Sequence, residues 1–219
     1  MITAEALVLL MTWLSPSFPT GGFAFSHGLE YAVEAGMVHN AASLQAWLED
    51  ALAAGAPRND AILLRHAYRG GDLAWLQTMA EALAPSRELA AEQLQQGAAF
   101  LMAASPWLVN ERALSDAVRP PVCYPVAVGA LAALRSVTET GVVLAYLQAW
   151  IANFISAGVR LIPLGQNAGL AVQAALAPAL IEAARVSEGM SLADLGGFTV
   201  AADIASMRHE TQYTRLFRS

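Results

Sequence analysis

The chain has 219 residues, enough for one domain that buries roughly 70% of its unfolded surface without staples. Hydrophobic residues make up 56% and charged residues 14%, and the formal net charge of -6 argues against a nucleic-acid surface, which needs a basic face. All 12 basic residues are arginine, so a P-loop lysine on a phosphate, a Schiff-base lysine and a kinase-type strand lysine are all excluded.

The first helix is predicted from Leu7, Leu10, Met11 and Leu14, spaced i, i+3, i+4, i+7 on one face. It ends before Ser15-Pro16, and Pro16, Pro19, Gly21 and Gly22 make a rigid loop. Ser26 or a neighbour restarts a helix through Leu29, Tyr31, Ala32 and Val33, closed by Gly36 in a left-handed cap. Ser43 is expected to cap a helix carrying Leu44, Trp47, Leu48 and Leu52, with Gly55 at its end. Helices follow at Ala61–Tyr68 and at Leu73–Leu83, the second started by Asp72 and stopped near Pro85. Ser86 opens a longer helix with Leu89, Gln93, Leu94, Phe100 and Leu101 on one side.

The linker 117–125, rich in proline, separates two helical groups but is too short to divide domains. Helices are then predicted at Val126–Leu134, Val142–Ile162 and Leu170–Ala184, with a turn region at Ser187–Gly197 and a last helix at Phe198–Arg208. β-branched alternation is scarce. The expected fold is therefore all-α, a single-domain bundle of about nine to ten helices. Val142–Ile162 is its expected centre, being apolar on nearly every face. Arg160 within this apolar stretch and Pro163 after it favour a buried helix over a membrane span.

Cys123 stands alone, which rules out an intramolecular disulfide and a cysteine metal cluster and fits a reduced, cytoplasmic setting. Glu5 lies where a secretory signal would carry basic residues. High hydrophobicity beside so little charge suggests that another protein covers part of the surface.

Three separated segments carry a resemblance. Trp13-Leu-Ser-Pro-Ser-Phe-Pro-Thr-Gly-Gly-Phe-Ala-Phe-Ser-His-Gly-Leu-Glu30, Gly158-Val-Arg-Leu-Ile-Pro-Leu-Gly-Gln166 and Arg208-His-Glu-Thr-Gln-Tyr-Thr-Arg-Leu-Phe-Arg-Ser219 resemble, in order, the signatures of the urease accessory protein F family (UreF). Arg160 stands where the family usually has lysine, and Thr20, Ala24 and Asn167-Ala168 are milder departures.

The resemblance implies an all-helical, non-catalytic chaperone or scaffold that homodimerises and binds the D/H-type accessory protein. It further implies recruitment of the accessory GTPase (the G protein) for nickel insertion into urease apoprotein. Nickel and GTP would act through the partners, with no stably bound cofactor here. The chain is expected to divide into a helical domain, 1–207, and a partner-binding tail, 208–219. Arg208, His209, Glu210, Gln212, Tyr213, Arg215, Leu216, Phe217 and Arg218 are the expected contacts, with Tyr213, Leu216 and Phe217 as apolar anchors and the tail ordering on docking. Phe23, Ser26, His27, Glu30, Arg160 and Gln166 are expected on the dimer and GTPase-facing surfaces.

Other chemistries compete with that expectation. Ala24-Phe-Ser26-His-Gly28 superficially resembles a nucleophile elbow, but it lacks the first glycine and the preceding strand, so Ser26 reads better as a helix cap. His27 and Glu30 are three apart and could pair on a helix face. No Glu-x-x-His or His-Glu-x-x-His spacing surrounds the four histidines, so no metal site is expected within one subunit. Arg160 requires a partner, either an internal carboxylate such as Glu30 or a neighbouring subunit. The alternative function is direct activation of the GTPase, with Arg160 or a tail arginine entering the nucleotide site.

Overall fold

Side-chain caps set several of the helix starts. Asp72 accepts the amides of Ala74 and Trp75, and Ser86 accepts that of Leu89, as predicted. In the third helix Asn40, not Ser43, is the cap; Ser43 sits three residues on and reciprocates, because a capping box needs a partner at that spacing. Gly36 takes the left-handed conformation that closes the second helix.

The computed structural model describes residues 2–108 and 121–219. Its helices are α1 (Ala4–Trp13), α2 (Leu29–Glu34), α3 (Ala41–Ala54), α4 (Ala56–Tyr68), α5 (Leu73–Leu83), α6 (Arg87–Ala104), α7 (Tyr124–Leu134), α8 (Glu139–Leu161), α9 (Gln166–Ser187) and α10 (Val200–His209). Short 3-10 turns lie at Gly22–Ala24, Ser105–Trp107 and Leu192–Asp194, and no strand occurs among the described residues. Residues 117–120 of the expected linker lie outside the described residues, and its end, Tyr124 and Pro125, already belongs to α7.

The bundle centre differs from the expected one. Every residue from Pro125 to Ala132 of α7 is buried, sandwiched against α4 and α6. Gly129 and Gly97 allow this approach: a Cβ on either would collide with a main-chain oxygen, of Leu64 or of Val122. The longer α8 buries one side (Val142, Val143, Tyr146, Leu147, Ile151, Phe154) and leaves its other side open. By length and hydropathy both α8 and α9 could cross a bilayer, yet half of the α8 window is buried within the protein.

The face of α1 is rotated from the expected one. Ala6, Leu9, Leu10 and Trp13 face the core, whereas Leu7 and Met11 are exposed. Trp13 explains the choice: it is fully buried, edge-on to Phe100 and Trp107, and a bulky ring outweighs a leucine in setting which side turns inward.

Candidate functional site

Four carboxylates form two short rails. Glu30 and Glu34 stand one turn apart on α2, and Glu88 and Glu92 one turn apart on α6. Residues 211–219 leave the end of α10 and lie across both helices as a strap. The main-chain amides of Leu216 and Phe217 donate to Glu30 at 2.6 and 2.8 Å. Arg215 donates to Glu88 at 2.5 Å, Gln212 pairs with Glu34, and Ser219 Oγ donates to Glu92 at 2.7 Å. His209, fully buried, faces Glu88 through Nδ1 at 2.7 Å and Glu30 through Nε2 at 3.2 Å. Glu210 reaches outward to the Arg87 guanidinium at 3.0 Å.

The N-terminal loop completes the clasp. Arg218 donates its amide to the Ala24 carbonyl at 2.9 Å, and the Ser219 carbonyl accepts from both the amide (2.9 Å) and the hydroxyl (2.5 Å) of Ser26. His27 (φ 52°) and Gly28 (φ 77°) are both left-handed, which turns the loop sharply into α2. Glycine is required at 28, because a Cβ there would stand 2.5 Å from the Ser206 nitrogen in α10.

Beneath the strap lies a second cluster. His27 Nε2 donates to Glu92 at 2.6 Å, and Glu92 also accepts from Gln96 at 2.6 Å. The imidazole packs edge-on against Trp150 and Phe154. Burial pulls its pKa down, but the Glu92 carboxylate more than offsets this and raises it above the usual 6.5. Asp60, on α4, accepts the Tyr146 hydroxyl at 2.8 Å; burial pushes its carboxyl up to about 6, tempered by that hydrogen bond.

Arg160 ends α8 beside the strap. Its guanidinium stacks on the Phe217 ring at 4.3 Å and donates to the carbonyls of Phe23 (3.0 Å) and Ser156 (3.1 Å). Partial desolvation lowers its pKa. The expected ion pair with Glu30 is absent, because Glu30 is filled by strap amides and His209. Likewise His27 pairs with Glu92 and not with Glu30, since its left-handed backbone lies outside α2.

At the end of α10 and along the strap, outward and inward residues separate. Arg208, Tyr213, Leu216 and Arg218 are exposed, Tyr213 completely so. His209 and Phe217, expected as partner contacts, are buried in their own chain, Phe217 only 4% exposed. Glu210, Gln212 and Arg215 are engaged in pairs within the chain. In the structure the tail expected to order on docking is already packed on the rails, which supply its donors with acceptors. Of the second group, Phe23, Arg160 and Gln166 are exposed, whereas Ser26 and Glu30 are buried and His27 is mostly so.

Ser26 is no nucleophile here. Its hydroxyl is fully buried and donates to Ser219, while the neighbouring imidazole is turned to Glu92. It also accepts the Glu30 amide at 3.4 Å, a weak remnant of the expected cap. Sequence reasoning missed Glu88, Glu92 and Asp60. The i, i+4 spacing of Glu88 and Glu92 opposite the apolar side of α6 was the one signal that could have exposed them. No group of three or more His, Cys, Asp or Glu side chains suited to a metal ion occurs among the described residues.

A groove of about 1090 Å³ opens on another face, lined by Leu7 and Met11 of α1, Leu144 and Ala152 of α8, and Ile181 of α9. His27, Asp60, Glu92 and Tyr146 lie at its polar floor. A second row of exposed apolar side chains runs along α10: Val200, Ile204 and Met207, one face by spacing, preceded by Phe198.

The family model of UreF matches residues 38–177. A Bradyrhizobium sp. (strain BTAi1) urease accessory protein UreF is 50% identical over 98% of this chain and 92% of its own length. The proteins of that name from Methylobacterium sp. (strain 4-46) and Cereibacter sphaeroides (strain ATCC 17025) are 48% and 46% identical, over 97% and 99% of the chain and 88% and 100% of theirs. With identities of 46–50% over 97–99% of its length, the chain belongs to the UreF family of urease accessory proteins.

Proposed function

We propose that this protein is a non-catalytic adaptor for urease maturation, working in the cytoplasm as a homodimer. What supports this most is likeness along nearly its whole length to proteins named urease accessory proteins. In this reading the D/H-type accessory protein docks on the outward face of α10 and the strap. Val200, Ile204, Met207 and Tyr213 supply apolar contact, and Arg208 and Arg218 supply charge-assisted bonds. The inward residues His209 and Phe217 hold that face in shape. The α1–α8–α9 groove, apolar and without an exposed charge among the side chains named at its walls, suits a second copy of the chain in an isologous contact.

Phe23, Arg160 and Gln166 remain as the GTPase-facing group, and the assembly would pass nickel, as cargo, to urease apoprotein. Arg160 is held by Phe217 and two carbonyls, which weighs against its acting as an arginine finger. A GTP hydrolysis assay with and without this protein separates the two functions: an unchanged rate fits a recruiting platform, whereas a rise of about 10³-fold or more marks a finger. The direct test is co-purification with the D/H-type protein and the GTPase, comparing wild type with a Met207→Ala/Tyr213→Ala variant. Loss of the D/H-type protein with helicity unchanged is expected; full retention rejects the α10–strap assignment.

A further inference from the structure

The strap is held by carboxylates, and one of them is shared. Glu92 takes the Ser219 hydroxyl through Oε2 and the His27 imidazole through Oε1. Glu92 is 1% exposed, so water screens it only weakly. We propose that His27 is a positioning residue whose proton holds the end of the strap in place, so that the strap is a proton-linked latch which loosens as His27 loses its charge.

Among the described residues, every group facing the imidazole fits this assignment. From α6 come Glu92 and, behind it, Gln96; from α4 comes Asp60, with Tyr146 of α8 bonded to it; from α8 come the rings of Trp150 and Phe154; from the strap comes Ser219, whose hydroxyl lies 3.4 Å from the His27 amide. Among the described side chains, the cluster thus contains two carboxyls and a single cation. Once His27 is neutral, the Glu92 side chain loses its cationic partner in a buried site, and Asp60 adds negative charge above about pH 6. The backbone adds a bias: a histidine held at φ 52° relaxes when its side chain is no longer anchored.

The sign follows from the raised pKa of His27. The protonated ring pairs with Glu92 and so anchors the loop whose Ala24 and Ser26 hold Arg218 and Ser219, and the latch is fully closed below the free-imidazole value. It opens as pH rises from there through the higher docked value, by up to about ten-fold per pH unit, and then levels off. Acid does not trigger it in this window. The inference rests on the adaptor role only for its consequence, namely that opening would reshape the surface offered to a partner. The test uses the isolated protein, so the two can fail separately.

Hydrogen exchange at the Leu216, Phe217 and Arg218 amides, corrected for intrinsic rate, is measured from pH 6 to 9 alongside the His27 ring titration by NMR. The wild type should lose protection in step with that titration. His27→Asn, whose residue type tolerates positive φ, should show weak protection that does not change with pH. If that variant fails to fold by circular dichroism, Glu92→Gln serves, with the same flat profile expected. Constant protection in the wild type, a loss out of step with the His27 titration, or a wild-type profile in a folded variant would overturn the proposal.

Discussion

The Glu30 carboxylate accepts the main-chain amides of both Leu216 and Phe217, joining α2 to a segment 186 residues further on. A third donor, His209 Nε2, fills the same group. Few side chains in the bundle organise so much with so little exposure. Glu30→Ala should therefore cost about 3 kcal/mol, the scale of losing charge-assisted bonds and stranding buried amides. Thermal unfolding would show the drop, and exchange at residues 216 and 217 would accelerate well before global unfolding. Unchanged exchange would contradict the arrangement.

Arg65 is 1% exposed and joins three helices: it donates to Glu139 on α8, and to Ser187 Oγ and the Ala184 carbonyl on α9. Arg65→Ala removes one partner of a largely buried pair. We expect a loss of about 3 kcal/mol, at the low end for such breaks because Glu139 keeps solvent contact and Arg69. A urea titration gives the value.

Stability should also vary with pH in two opposed ways. Asp60, pushed by burial to about 6, stabilises the fold while protonated; that contribution is complete below 3.8 and is lost as pH rises through 6. Burial pulls the Glu139 carboxyl up, but Arg69 and Arg65 outweigh it and hold it below 4.5, so its contribution is lost in acid. Asp60→Asn keeps an acceptor for Tyr146 and removes the first dependence. It should gain up to about 3 kcal/mol at pH 7.5, with no gain at pH 4. Chemical denaturation at the two pH values checks both.

Gly129→Ala would drive a methyl group into the Leu64 carbonyl, a main-chain atom that cannot swing aside. The expected cost is about 3 kcal/mol through displacement of α7 from α4. Gly36→Ala is the control: nothing lies near its added carbon, and only its left-handed φ resists. Calorimetry should rank the first as the more damaging.

The two aromatic ends of the strap should behave oppositely. Tyr213→Ala, fully exposed, should leave the unfolding temperature unchanged and weaken co-purification with the D/H-type partner. Phe217→Ala empties a buried site under Arg160 and should cost about 3 kcal/mol or more before any partner is added.

The fold class was legible because periodicity of apolar residues and Gly/Pro punctuation are local signals. Asp72, Ser86 and Gly36 could be read for that reason. The inward side of α1 was not, since the side carrying Leu7 and Met11 is as apolar as the one that is buried, and only contact with Phe100 and Trp107 breaks the tie. Likewise His27 and Glu30 looked like a pair by spacing, yet each finds its acid or base more than 60 residues away. The motif segments drew attention to residues that the fold brings together, but not to which way they turn. Ser26, Glu30 and Phe217 lie inside because they hold one another.

The close contact of Gly97 with Val122 gives α6 little freedom to slide. This helix carries Glu88 and Glu92 near its start and, about two turns later, meets the main chain of Val122 and Cys123 just before α7. A load applied where a neighbour grips the chain's end therefore has a stiff route inward, along a single lever whose far arm bears on the middle of the bundle.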